Sequence, residues 1–346
     1  MTTPITIPTG DNNRFFDNTT LNDWRECERK GYFRHERNWK REGISPALAY
    51  GLSWHSAMDI IWSQAKILEP IKLLAAASEA FVETWVEEGM PDPRTGALDQ
   101  QQITDLYPRT PGRANDMMVY YMQKYLKYIQ EYEILGIEQP FVVPLSETEL
   151  NLFYIGRLDK IFRAKVNGEV GVSILDHKTT KTEGPSWVNS FSPSAQMDGY
   201  AYVGKMIYGD EFKACFIDGA LVQKGTPASQ KKQTDPDFPA GISFPRFPIQ
   251  HVPSMLTQWH WEILYFIKSV IDFNADLHSD CKPADDVMRA YPRRTTSCNH
   301  YSGCTYKEIC SVLTNPMRQI EPPPGFVVEK WQPFDILDIT KGPKED

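Results

Sequence analysis

The sequence contains no long apolar run and no leader of the secretory type. Among its 346 residues there is no uninterrupted apolar stretch of about eighteen residues, so we expect no membrane-spanning helix. The opening residues MTTPITIPTGDNN have neither the basic start nor the apolar centre of a signal peptide. These two absences predict a cytoplasmic protein that has no contact with a membrane.

The sequence also lacks the motif of a nucleotide-hydrolysing motor. Residues 199–205, GYAYVGK, have the spacing of a phosphate-binding loop, but Met206 follows where a magnesium-binding Ser or Thr is required. The bulky side chains of Tyr200 and Tyr202 fit a helix better than a loop that surrounds an anion. We therefore expect no NTPase and no helicase activity.

Positive charge is scarce overall, because the formal net charge is −8. This balance argues weakly against a nucleic-acid partner, whose phosphates must be neutralised. Residues 24–41, WRECERKGYFRHERNWKR, nevertheless combine basic and aromatic side chains. The segment is either a surface on which Arg29, Lys30 and Arg34 follow a nucleic-acid backbone beside stacking rings, or an ordinary solvated amphipathic helix.

Hydrophobic periodicity predicts helices first and strands later. The helices are expected at 18–40, 47–68, 70–89, 112–134, 194–208 and 254–278. The strands are expected within the run from 139 to 164, which includes Glu147 and Glu149, and at 169–180, 212–223 and 242–249. This order predicts a mixed α/β core preceded by a helical region.

The segment Gly156–Thr180, GRLDKIFRAKVNGEVGVSILDHKTT, has the clearest chemical pattern. A turn at Asn167-Gly168 would join two strands and bring Asp159 close to Asp176. Alternation along a strand puts Asp176 and Lys178 on one face and turns His177 away. Two carboxylates and a lysine together suit a divalent metal, a phosphate and an attacking water.

Ordinary solvated charges on an exposed strand are the alternative for this set. The apolar run that precedes Asp176 argues against it. Glu147 and Glu149 of the preceding strand are candidates for a further carboxylate. Gln196 and Tyr200, four residues apart on one helical face, are placed to contact a phosphate or to orient Lys178, although alone they resemble a polar helix edge.

The cysteines form the second pattern. Cys298, Cys304 and Cys310 are separated by five residues each, while Cys27 stands alone in the basic segment. Four thiolates can hold a [4Fe–4S] cluster or zinc, and the absence of closely paired cysteines favours the cluster; three unconnected buried thiols are the alternative. Cys215 is expected to be a small buried apolar side chain, and Cys281 is a possible substitute ligand.

Taken in order along the chain, these motifs resemble the PD-(D/E)XK nuclease superfamily. The similarity is greatest to its RecB-like, AddB-type branch with an iron–sulfur cluster, which includes CRISPR-associated adaptation exonucleases and phage recombination exonucleases. The residues that carry the resemblance are Cys27 in WRECERKGYF, His55 in GLSWH, Gly156 to Asp159, Asp176-His177-Lys178, Gln196 with Tyr200, and Cys298, Cys304 and Cys310. They extend over residues 27–310.

The resemblance implies a restriction-endonuclease-like core sheet flanked by helices. It implies an N-terminal helical region at 1–135, a nuclease core at 136–280 and an iron–sulfur segment with a tail at 281–346, acting as one cooperative unit.

The resemblance also implies hydrolysis of phosphodiester bonds with Mg²⁺ or Mn²⁺. The metal would be held by His55, Asp159, Asp176 and the backbone carbonyl of His177. Lys178 would orient the attacking water and help to deprotonate it, with Gln196 and Tyr200 as positioning side chains.

Under this interpretation the substrate is DNA, with single-stranded ends expected, and Cys27, Cys298, Cys304 and Cys310 hold a structural [4Fe–4S] cluster. Recombination, repair, phage DNA metabolism and CRISPR adaptation are the candidate processes and sources of partner proteins. A catalytically silent DNA-binding or assembly subunit and an electron-transfer protein are the competing hypotheses.

Overall fold

The computed structural model describes most of the chain. The described residues are 13–96, 100–146, 151–166, 168–226, 238–279, 291–299, 303–313, 315–316 and 319–336. The predictions for Glu147, Glu149, Asn167 and Cys281 fall outside these ranges.

The chain divides into two compact units, each assembled from segments that are distant in sequence. Unit 1 comprises Met1–Glu42, Pro140–Arg157 and Pro253–Asp346, and unit 2 comprises Gly43–Gln139 and Leu158–Val252. The predicted division along the chain, at 1–135, 136–280 and 281–346, stays a prediction.

Seven strands form one sheet among the described residues. They are β1 (Arg14–Phe16), β3 (Glu133–Ser146), β4 (Leu152–Val166), β5 (Glu169–Thr180), β6 (Phe212–Val222), β7 (Ile242–Ser243) and β8 (Arg246–Ile249). The hydrogen-bonded order is β1-β4-β5-β6-β7, with β3 paired to β4 and β8 paired to β6. The mixed sheet with its helices confirms the predicted α/β class.

Register decides which side chains meet. Strands β4 and β5 are antiparallel with Lys160 opposite Leu175, which sets Asp159 level with Asp176. Strands β5 and β6 are parallel, with His177 beside Asp218 and Lys178 beside Gly219.

Several helices of unit 2 begin at a residue whose side chain caps the first turn. They are α3 (Pro46–Gln64), α4 (Pro70–Glu87), α5 (Gln100–Leu106), α6 (Pro111–Glu131), α7 (Pro185–Asn189) and α8 (Ala195–Tyr208). Ser45 and Thr110 each accept a hydrogen bond from a backbone N–H of the first turn, and a proline follows each of them. The buried faces of α3, α4 and α6 fill a core that contains Trp54, Trp62 and Trp85.

Unit 1 contains shorter elements and one long helix. Its elements are α1 (Asn18–Glu26), α2 (Glu28–Gly31), a π-helical turn (Tyr32–Glu36), β2 (Trp39–Arg41), α9 (Pro253–Ser279), α10 (Lys307–Val312) and β9 (Phe326–Val328). Strand β1 pairs in parallel with the start of β4, and β2 pairs with β9. Among the described residues, short 3₁₀ helices occur at Thr295–Ser297 and Pro333–Ile336 in unit 1 and at Gly209–Glu211 in unit 2.

The prediction of a single helix at 18–40 is wrong. The backbone is extended at Cys27, which ends α1 and begins α2. The break allows the Trp24 ring to lie against Gly31, where an added Cβ would come within 2.2 Å of the indole.

The aromatic side chains of this segment form the core of unit 1. Trp24, Tyr32, Phe33 and Trp39 are at most 4% exposed and cluster with Tyr291 and Tyr306. The predicted stacking surface on these rings is therefore wrong, because they are withdrawn from solvent. In the part of the chain that the structure describes, no helix is both long and apolar enough to cross a membrane.

Candidate active site

The hairpin of β4 and β5 brings the predicted acidic and basic side chains of unit 2 together. Asp159 is 7% exposed and Asp176 is 1% exposed. The backbone N–H of His177 donates to Asp159 Oδ2 over 2.9 Å, so the carboxylate is fixed across the strand pair. Lys178 Nζ lies 2.7 Å from Asp176 Oδ2, as expected from the alternation of side chains.

His55 approaches the hairpin from helix α3. Its Nδ1 lies 3.2 Å from Asp159 Oδ2, and its Nε2 lies 2.8 Å from the carbonyl oxygen of His177. Both partners are hydrogen-bond acceptors, so the ring satisfies both when it is protonated. Burial disfavours the charged ring, but Asp159 outweighs it and raises the pKa of His55 to about 8.

A third carboxylate belongs to the site and was missed in the sequence. Glu138 lies on β3. One ligand atom each from Glu138, His55 and Asp159 lie within 4.8 Å of one another. Burial, with repulsion from Asp159 and Asp59, raises the pKa of Glu138 to about 7. Its backbone φ is +47°, an unusual conformation for this residue type that no local sequence pattern announces.

Lys160 and Asp59 form a second charged pair beside the carboxylates. The Lys160 side chain is fully buried; its ammonium group donates to Asp59 Oδ1 and, over 3.1 Å, to the Asp159 carbonyl. Asp59 lies one turn after His55 on α3, so both project from one helical face. The spacing of four residues between His55 and Asp59 was the signal in the sequence that could have identified Asp59. The burial of Lys160 cannot be recognised from strand alternation alone.

The site holds more acid than its cations neutralise. Burial, with repulsion from Asp159, outweighs Lys178 and raises the pKa of Asp176 to about 6. Burial also opposes ionisation of Asp159, but His55, Lys160 and Lys178 hold its pKa well below the usual range. Carboxylate oxygens with one imidazole nitrogen are a suitable donor set for Mn²⁺ or Mg²⁺. The residues therefore fit a divalent cation.

Gln196 and Tyr200 of helix α8 reach the same face. Gln196 Nε2 donates to Asp176 Oδ1 over 3.2 Å and to the Tyr200 hydroxyl over 3.1 Å. The amide thus orients the Asp176 carboxylate, and the predicted positioning of Lys178 or of the scissile phosphate stays a prediction. The residues 199–205 that imitate a phosphate-binding loop are helical, as predicted.

The side chain of His177 faces the other side of the sheet, as predicted. Its Nδ1 lies 3.2 Å from Asp218 Oδ2, and burial lowers the pKa of His177 to about 4. Asp218 also accepts from Arg246 over 3.0 Å and from the Tyr121 hydroxyl over 2.6 Å. This buried network, which the sequence did not reveal, anchors the strand residue that lies between Asp176 and Lys178.

The predicted cluster cysteines lie around one cavity in unit 1. Cys27, Cys298, Cys304 and Cys310 line a space of about 260 Å³ together with basic side chains that include Arg29 and Arg294. The backbone N–H of Arg294 donates to Cys27 Sγ over 3.4 Å. Burial raises the pKa of the Cys304 thiol. Cys215 is 1% exposed in the core of unit 2, as expected.

The three basic residues predicted to bind nucleic acid differ in exposure. Arg29 is 4% exposed, and its guanidinium donates to the carbonyls of Tyr291 and Leu313. This burial removes Arg29 from the predicted contact. The Lys30 ammonium group pairs with Asp23 and Glu26. Arg34 donates to the carbonyl of Glu329 over 3.1 Å and is partly exposed.

Comparison with known proteins agrees with this geometry. The PD-(D/E)XK nuclease superfamily matches residues 18–311, which is most of the chain. The protein therefore belongs to the PD-(D/E)XK nuclease superfamily.

A solved structure from Eubacterium rectale, described as a "Putative exonuclease", is also similar. It shares 14% sequence identity, with a TM-score of 0.43, over 74% of this chain and 80% of its own. A comparison with curated proteins gives no match.

Proposed function

We propose that the protein is a metal-dependent deoxyribonuclease that hydrolyses phosphodiester bonds at single-stranded DNA ends. One observation carries the proposal: Asp159, Asp176 and Lys178 are drawn together, with His55 and Glu138 beside them, in a chain that belongs to a nuclease superfamily. The superfamily supports hydrolysis of nucleic acid; the preference for single-stranded ends rests on the resemblance to recombination exonucleases. Recombination, repair or phage DNA metabolism is the proposed context.

Asp159, Asp176, Glu138, His55 and the His177 carbonyl would hold the cation. A bound Mn²⁺ or Mg²⁺ would polarise the scissile phosphate and lower the pKa of a bound water. An imidazole among the ligands favours Mn²⁺, because Mg²⁺ prefers oxygen. His55 must lose its proton to ligate, so metal and proton compete for this ring.

Lys178 supplies positive charge where negative charge develops on the phosphate. Burial disfavours its ammonium form, but Asp176 and Asp159 outweigh burial and raise the pKa of Lys178. We assign orientation of the water, help in its deprotonation and charge stabilisation to Lys178. A cation bound by Asp176 and Asp159 would repel the ammonium group and lower its pKa, which favours the neutral form that accepts a proton.

The four cysteines are the proposed ligands of a [4Fe–4S] cluster. Their common cavity supports the proposal, as do the arginines around it, because cations stabilise the negative charge of thiolates. The cluster would join Cys27 to the segment that contains Cys298, Cys304 and Cys310, and would thereby stabilise unit 1.

The test is cleavage of end-labelled single-stranded and double-stranded DNA by anaerobically purified protein in Mn²⁺, Mg²⁺ or EDTA. Wild type should cut with metal and not with EDTA, and Lys178→Ala should lower the rate by about 10²- to 10³-fold. Lys205→Ala is the matched control, since Lys205 is an exposed lysine paired with Asp210; it should cut like wild type.

The pattern of labelled products separates attack at ends from internal cuts and gives the polarity. Metal-bound wild type that binds DNA and leaves it intact would overturn the proposal and support the silent DNA-binding subunit.

A further inference from the structure

A tryptophan lies beside the catalytic lysine because the neighbouring strand has no side chain at that level. Gly219 of β6 is in register with Lys178 of β5, and residues paired in this way project from the same face of a sheet. A Cβ added at Gly219 would lie 2.5 Å from Trp187 Cη2. The indole of Trp187 therefore occupies the face of the sheet that carries Lys178, one strand away.

Two further rings extend this surface. Trp187 contacts Phe191 with ring centroids 5.0 Å apart and Phe247 with centroids 5.8 Å apart, both nearly perpendicular. Phe247 is in register with Ile217, which in turn is in register with Asp176, so Phe247 shares the same face. We call Trp187, Phe191 and Phe247 the aromatic wall.

The aromatic wall is accessible in part. All three side chains are half-buried, in contrast to the aromatic residues of unit 1 at 24–39, which are buried. The next residue of α7, Val188, is 37% exposed. Apolar ring surface is thus open to solvent directly beside a charged site. A substrate that has both phosphates and aromatic rings would contact the charged site with its phosphates and the aromatic wall with its rings.

We propose that the aromatic wall stacks an unpaired base of the DNA strand whose phosphodiester bond lies at Lys178. The inference rests on the proposed function and deepens it by assigning a cause to single-strand preference. A base stacks on a protein ring only when it is free of its neighbours in the duplex, and stacking tolerates any base because each has a π-face. Because the aromatic wall adjoins the acidic site, we expect the base that it stacks to belong to the strand that is being cut.

Single-stranded oligonucleotides that carry one abasic nucleotide at successive positions test the proposal. Affinity is measured in EDTA by fluorescence anisotropy, and cleavage is measured separately in Mn²⁺. The variants are Trp187→Leu, which keeps apolar bulk without an aromatic face, and Trp187→Phe, which keeps a ring. Trp261→Leu is the matched control, because Trp261 is an exposed tryptophan of unit 1 at 63%.

Wild type should lose about 5- to 150-fold in affinity when the abasic nucleotide takes the position at the wall. Trp187→Leu should bind the intact strand more weakly than wild type by a similar factor. It should bind the abasic strand with the same affinity as wild type does. Trp187→Phe should keep most of the affinity, and Trp261→Leu should show the wild-type pattern.

If Trp187→Leu lost the same factor in affinity on the intact and on the abasic strand, the role of Trp187 would be purely structural and the inference would be overturned. Cleavage by wild type would still leave the proposed function in place. Conversely, base-dependent binding through Trp187 without cleavage would support the inference and remove the nuclease activity. Wild type that neither binds nor cuts would overturn both.

Discussion

The two units collect opposite kinds of metal-binding side chains. In unit 2 the donors are carboxylates and one imidazole, and acid exceeds base among the buried groups. In unit 1 the proposed donors are four cysteine sulfurs, and arginine and lysine line their cavity. Hard oxygen donors suit Mg²⁺ or Mn²⁺, whereas thiolates suit iron–sulfur clusters or zinc. The difference teaches that one chain can gather oxygen-rich and sulfur-rich groups in separate units, each with surroundings of a different charge.

Among the changes that test this difference between the units, replacement of one proposed cluster cysteine should have the largest effect. Cys310→Ser should abolish iron binding and its visible absorbance and lower the thermal stability of the protein, because cluster binding contributes folding free energy. Iron content and absorbance of anaerobically purified protein provide the measurement.

Cys215→Ala is the control, since Cys215 is buried in unit 2; it should retain iron even if it lowers stability. Full iron content in Cys310→Ser would contradict the assignment of the four sulfurs as a ligand set.

An intermediate effect is expected from Glu138→Gln in unit 2. The pKa of Glu138 is about 7 in the folded protein and about 4.3 when unfolded. Its ionised form therefore lowers stability, progressively as pH rises from about 4 to about 7, and the cost persists above pH 7. In EDTA the variant should be more stable than wild type at pH 8, and the gain should shrink toward pH 4.

Denaturant unfolding at several pH values measures this gain, and added Mn²⁺ should stabilise wild type more than Glu138→Gln. Glu133→Gln, at an exposed position of the same strand, should show no such pH-dependent gain. If Glu138→Gln were the less stable protein at pH 8 in EDTA, the picture of an acid-rich site would be incorrect.

The smallest effect should come from Arg34→Ala, which asks whether unit 1 also contacts DNA. Loss of one phosphate contact should weaken binding of single-stranded DNA by about threefold and reduce the slope of log K against log salt concentration by about 0.7. Anisotropy titrations over a range of salt concentrations measure both. Arg94→Ala, at an exposed arginine of unit 2, should leave them unchanged. An unaltered slope for Arg34→Ala would confine DNA binding to unit 2.

Local patterns in the sequence predicted the parts of the site that one hairpin contains. Asp176 and Lys178 alternate with His177 on a single strand, so their common face follows from strand geometry. The place of Asp159 follows from the short connection between the strands. The mixed sheet was predictable for the same reason, because alternation and helical periodicity are local signals.

Residues whose role depends on tertiary packing were missed. Glu138 enters the site through a rare backbone conformation, and Lys160 is buried because Asp59 arrives from a distant helix. Arg29 has the sequence pattern of a surface charge, because composition does not show that carbonyl groups will enclose it. Trp187 was not singled out, because its position depends on the absence of a side chain at Gly219 on another strand.

The order in which the two units become complete follows from their discontinuous make-up. Unit 2 has all of its segments once Val252 has left the ribosome, whereas unit 1 still awaits the segments that begin at Pro253. Domains generally fold as units during synthesis, and chains grow at about 5–20 residues per second. The carboxylate site can thus form seconds before the four sulfurs are present together, so the proposed cluster would be inserted late, after all segments of unit 2 have been synthesised.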